Sequence, residues 1–158
     1  MHRKRDGTLA SIGTLATARL EATEGESCVL ACEGISRIQI IETADDGSSC
    51  VYEPHEDVPA ANATADEALC DDVRRRLSDL AALQETEFSI DRKRGESAEE
   101  FSLAVAGVLE HESEADALTL LEGSSTEERL RALDARLEEA VRFASTQRML
   151  ASLGSSFS

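Results

Sequence analysis

Four cysteines, Cys28, Cys32, Cys50 and Cys70, are the side chains of this sequence best suited to chemistry. A zinc ribbon needs two closely spaced pairs, and here only Cys28 and Cys32 lie near one another. On a strand Cys28, Leu30 and Cys32 share one face, so the spacing first suggests small buried hydrophobes. A metal site that adds His55 to the cysteines is the alternative. A thiol nucleophile needs a base and a group to orient it, yet His2, His55 and His111 stand in no recognisable cysteine-enzyme context. Lys4 and Lys93 are the only lysines. There is no G-x-x-x-x-G-K-[ST] phosphate loop, and G-x-S-x-G, H-E-x-x-H and G-x-G-x-x-G are missing as well. Acidic pairs such as Asp45-Asp46 and Asp71-Asp72 carry no accompanying pattern that would raise a carboxyl pKa for acid–base work. The expectation is no catalytic residue, no metal and no cofactor.

The elements that must position these residues follow from composition. At 158 residues the chain has one domain's length, and 41% hydrophobic residues suffice for a core of Leu, Val, Ile and Ala, with no Trp and only five aromatic side chains. A net charge of −16 argues against nucleic acid or an anionic membrane as partner. That charge is uneven. Residues 1–40 hold five basic and five acidic side chains, so the whole excess lies in residues 41–158. β-Branched residues gather in the first region, whereas Ala, Leu, Glu and Arg dominate the second, which gives an α+β chain with strands first and helices last. No apolar run approaches the ~18 residues of a membrane span. Met1-His2-Arg3-Lys4-Arg5 runs straight into Asp6-Gly7-Thr8 with no apolar core, against a secretory signal, and the cytoplasm is the expected compartment. The Arg, Thr and Ser of residues 1–20 keep an organellar transit peptide open.

Along the chain, Leu9 to Leu20 reads as a strand in which Gly13 marks a bulge or close backbone approach. Glu21 to Ser27 reads as a turn. Cys28 to Ala31 reads as a strand interrupted by Glu33-Gly34, followed by a strand through Ile38 and Ile40 to Glu42. Asp45-Asp46-Gly47 is a turn signal, and Cys50-Val51-Tyr52 a short strand closed by Pro54. Thr64-Ala65-Asp66-Glu67 and Ser97-Ala98-Glu99-Glu100 have the capping-box form. They open helices with stripes at Leu69, Val73, Leu77 and Leu80, and at Phe101, Val105, Val108 and Leu109. A shorter helix runs from about Glu114 to Leu121 and ends at Gly123. A last one starts at Ser125-Thr126-Glu127-Glu128 and turns Leu130, Leu133, Leu137, Val141 and Ala144 inward. The run Arg74-Arg75-Arg76 follows Asp71-Asp72 on one helix and reads as a self-neutralised solvated face rather than a nucleic-acid patch.

Ile12-Gly13-Thr14-Leu15-Ala16, then Val29 to Ile40 with Gly34, Arg37 and Ile40, then Tyr52-Glu53-Pro54, and finally Leu120-Leu121-Glu122 with Thr126, Arg129, Leu130, Leu133 and Leu137 form an ordered set. Over roughly residues 9–142 this set resembles the N-terminal, substrate-binding domain of Lon proteases. The resemblance implies a PUA-like β-lobe at residues 8–60, here an incomplete pseudo-barrel, and a subdomain of about four helices at 61–153, between flexible termini 1–7 and 154–158. The family's opening proline-containing strand has no counterpart before Ile12, so a front-shortened form with an exposed strand edge is expected. The resemblance implies a non-catalytic module that recognises polypeptide in protein turnover, without the family's ATPase and Ser-Lys protease modules. Gly13, Gly34, Arg37, Glu53, Pro54, Arg129 and Leu130 match family positions of architectural character. Polypeptide substrates or a protein partner are the expected ligands, with nucleic acid and membrane excluded. A structural subunit that completes its fold on a partner is the second reading, and a small cysteine- or metal-dependent protein the third.

Overall fold

The computed structural model describes residues 10–24, 27–45, 47–59, 63–85, 96–109 and 114–155. The chain is α+β and divides into two compact units, Met1–Glu56 and Asp57–Ser158. The termini expected to be flexible lie outside the described residues, except that the last helix reaches Ser155.

The first unit is an antiparallel sheet of β1 (Ile12–Glu24), β2 (Ser27–Thr43) and β3 (Cys50–Pro54), in that spatial order. The strands are longer than their local signals suggested. Residues 21–24 and Ser27, read as turn, are extended, and residues 22–24 are paired, with Thr23 opposite Cys28 and Glu24 opposite Ser27. Glu33-Gly34 does not interrupt β2. Leu15 pairs with Ser36 and Ala16 with Gly34, so Ile35 is the extra residue of a bulge that absorbs the irregularity and lets the strand continue. Two further register shifts leave Glu21 and Ile41 as extra residues. Gly13 marks no bulge, since it pairs in register with Ile38 and has space for a Cβ at ordinary contact, 3.6 Å from Ile40 Cδ1. Gly47 takes φ +69° in the turn before β3, where its amide donates to the Ala44 carbonyl at 2.8 Å. Among the described residues of this unit, Ala10, Ile12, Arg37 and Ile38 are buried.

The second unit holds α1 (Ala63–Gln84), α2 (Ala98–Val108), α3 (Glu114–Glu122) and α4 (Thr126–Ser155). Its core is Cys70, Val73 and Leu77 of α1, Phe101, Val105 and Ala106 of α2, Leu120 of α3, and Leu130, Leu133 and Leu137 of α4. Each leucine so enclosed contributes about 1.5–3 kcal/mol over its exposed state. Helices α1 and α4 run parallel. Arg76 on α1 meets Asp134 at 2.5 Å and Glu138 at 3.1 Å, while further along Arg148 meets Glu85 at 3.6 Å. The basic run is therefore only partly neutralised within its own helix: Arg74 pairs with Asp71 and Arg75 with Asp72, but Arg76 reaches across to α4. The Ser97 box caps α2 as its pattern requires, the Ser97 hydroxyl accepting from the Glu100 amide at 3.1 Å and the Glu100 carboxylate from the Ser97 amide at 2.7 Å. Ser125 accepts from the Glu128 amide in the same manner at 3.2 Å. Among the described residues α1 is already helical at Ala63, one residue ahead of the Thr64 box. Val108 lies on the exposed side of α2, and Val141 and Ala144 are half-buried. No helix among the described residues is long and apolar enough to cross a membrane.

Candidate functional site

The cysteines do not form a site. Cys28 and Cys32 are exposed, Cys50 is half-buried and Cys70 alone is enclosed. Alternation placed the first two on one face of β2, but nothing local could say whether that face is covered, and burial was the wrong expectation. Among the described residues no three His, Cys, Asp or Glu side chains come together to hold a metal, so the cysteine cluster with His55 is not assembled. His2 and His111 lie outside the described residues.

The family-like positions fall into both units. Gly13 and Gly34 sit in the sheet, and a Cβ at Gly34 would press on Thr14 Cγ2 at 3.3 Å. Arg37 is buried in the second half of β2, and its carbonyl accepts from the His55 amide at 3.1 Å. Glu53 and Pro54 pair with Gln39 and Ile38 across the β2–β3 ladder. Leu130 is a core residue of the helical unit.

Arg129 has the most enclosed polar surroundings. Its side chain is 1% exposed and that of Asp57, with which it forms an ion pair, is 3% exposed. The Asp57 carboxylate also accepts from the Thr126 hydroxyl. Arg129 donates through Nε to Ser102 Oγ at 3.0 Å and through Nη1 to the Gly123 carbonyl at 3.1 Å. Each of the three guanidinium nitrogens donates to the protein itself, which makes the side chain a clamp. Nearby, Asp66 is buried in the first turn of α1. Burial, and then the charges of Glu127, Glu67 and Asp57, push its carboxyl above the usual range.

The surface with the most to offer a ligand is the sheet. On one side β2 is paired along most of its length by β1, but β3 covers the other side only from Ile38 to Thr43. On the side away from β1, residues 28–36 of β2 thus present the outward half of their backbone donors and acceptors to no strand among the described residues. At about 3.3 Å per residue the slot is about 30 Å long. Its apolar side chains face solvent: Val29 is 58%, Leu30 52% and Ile35 60% exposed. Leu20, directly opposite Leu30 on β1, extends that apolar row. Reading Glu33-Gly34 as a break concealed the length of this edge. The recurring β-branched residues Ile35, Ile38 and Ile40 were the signal that the strand continues. A second apolar surface is the end of α4, where Phe143, Met149, Leu150 and Leu153 are exposed.

An unpaired edge flanked by apolar side chains can accept an extended polypeptide as an added strand, the backbone supplying hydrogen bonds and alternate side chains supplying contacts. No protein-family model matches the chain, and no curated protein is significantly similar to it.

Proposed function

We propose that this chain is a non-catalytic polypeptide-recognition module, of the kind its resemblance to the Lon N-terminal domain implies, which takes an extended apolar segment as an added strand along residues 28–36. The observation that carries the reading is the open edge of β2 with Val29, Leu30 and Ile35 exposed on it. Charge supports it. Residues 1–40 sum to zero in a chain of net −16, so a polypeptide of either sign can approach there without strong repulsion. The same excess of acid disfavours nucleic acid and anionic membrane. Service to protein turnover follows from the resemblance, as does the absence of a reaction of its own. The cytoplasm suits four cysteines that form no disulfide.

A labelled, reduced and alkylated polypeptide rich in alternating apolar residues, titrated with the full chain and followed by fluorescence anisotropy, tests the reading. Leu30→Lys places a charge in the slot and weakens binding at least about tenfold. Since Leu30 is 52% exposed, the far-UV spectrum and melting temperature stay as in the parent. Equal affinity of parent and variant would overturn the reading. The exposed Phe143, Met149, Leu150 and Leu153 favour a second reading, a subunit that completes its packing on a partner helix. That reading predicts no dependence on Leu30.

A further inference from the structure

We infer that the open edge of β2 also accepts a second copy of this chain, antiparallel and centred on Leu30, and that reciprocal Cys28–Cys32 disulfides lock the pair under a hydroperoxide. Its consequence for ligand capture rests on the reading above, since an edge occupied by a copy is closed to other polypeptides. The pairing itself does not depend on that reading.

The register is what points to a copy. An antiparallel pair with Leu30 opposite Leu30 sets Cys28 opposite Cys32 of the other copy, twice. Directly opposed residues in such a pair have Cα atoms about 4.5–5.5 Å apart. That lies inside the roughly 4.4–6.8 Å a disulfide spans. Within one copy the two cysteines are four residues apart on a strand, about 13 Å, and cannot bond. Cys28 and Cys32 are both exposed, so neither needs to be uncovered first. Because Leu20 lies opposite Leu30, the joined sheet carries an unbroken apolar row of Leu20, Leu30, Leu30 and Leu20 across four strands. The row is drawn from side chains 58% and 52% exposed in the single chain.

Charge and length select the same register. Two chains of net −16 repel unless they meet on neutral surface, and Ser27 to Cys32 contains no charged residue. The first charge, Glu33, falls opposite position 27 rather than opposite another acid, which avoids the destabilising like-charge pair. The copy's β2 begins at Ser27, opposite Glu33, before β3 takes over the ladder at Ile38, so the added strand fits the slot.

For each bond, one thiol, attacking as its thiolate, takes an oxygen from hydrogen peroxide to give a sulfenic acid, and the departing hydroxide takes up the thiol's proton and leaves as water. The opposed thiol then displaces a second water to form the disulfide. Two thiols and one hydrogen peroxide give one disulfide and two waters, so the locked pair uses two peroxides. Thiol reductant reverses it.

The test uses the full chain, reduced and then treated with hydrogen peroxide without added polypeptide, read by non-reducing electrophoresis and mass-spectrometric mapping of the linked peptides. The expected product is a covalent dimer whose links join Cys28 to Cys32. Cys28→Ser alone and Cys32→Ser alone each give at least tenfold less dimer, because each leaves like cysteines four positions apart in the pair. An equimolar mixture of the two variants restores the dimer through the single remaining Cys28–Cys32 link, and Cys50→Ser and Cys70→Ser leave it unchanged. Cross-linking of Cys28→Ser as efficient as that of the parent, or a mixture that restores nothing, overturns the inference. The anisotropy titration on the reduced chain is unaffected by either result, so the two proposals fail separately.

Discussion

Asp66 illustrates how the setting of a single carboxyl becomes a dependence on pH. The first turn of a helix ordinarily favours a carboxylate through the helix dipole. Here burial opposes ionisation first, and Glu127, Glu67 and Asp57 add to it, so the folded chain holds the proton more tightly than the unfolded one. A group raised in this way contributes stability below its unfolded value of 3.8 and loses that contribution as pH rises through the higher folded value. Asp66→Asn is therefore more stable than the parent at neutral pH, and the difference closes as pH falls towards 3.8. Urea midpoints from pH 7 downwards check this, and a difference that does not vary with pH contradicts it. Nothing local marked Asp66 as buried. Its neighbours Thr64 and Glu67 had the form of a capping box, and the charge of Glu127, which helps raise its pKa, comes from the start of α4, far along the chain. Cys28 and Cys32 failed in the opposite sense for the same cause: periodicity assigns residues to a face, and long-range packing decides whether the face is covered.

At the scale of elements, the helical half was the more legible because its signals are local. The Ser97 box and the Leu130, Leu133, Leu137 stripe each fix an element from a few adjacent residues, and both stand in the structure as their spacing requires. The strands were harder, since a bulge at Ile35 and an end at Glu24 depend on the facing strand. Arg129 could be placed on α4 but its partners could not be read, because Asp57, Ser102 and Gly123 are brought to it from three separate segments. Its work is to join elements. Arg129→Ala leaves the Asp57 carboxylate buried without its cation, and the loss is about 3–5 kcal/mol. Urea unfolding of the full chain followed by circular dichroism measures it. A loss of less than about 1 kcal/mol would mean that the clamp contributes no more than an exposed pair.

For the whole molecule, charge is divided along the chain. The acidic excess belongs to residues 41–158, which include β3, while residues 1–40 net zero and carry the open edge and its exposed apolar side chains. An edge of this kind is ordinarily blunted by charge, proline or a covering element. Residues 28–32 of β2 have none of the first two, and on the side away from β1 no strand covers them among the described residues. That exposure is the basis for the proposed reading of the chain as a receiver of polypeptide. The most direct measurement is backbone hydrogen exchange of the reduced full chain with and without a saturating extended apolar peptide. Strand addition predicts slowed exchange concentrated in residues 28–36, with α1 and α4 unchanged. Protection confined to the exposed end of α4, or no protection in β2 at saturation, would contradict the account.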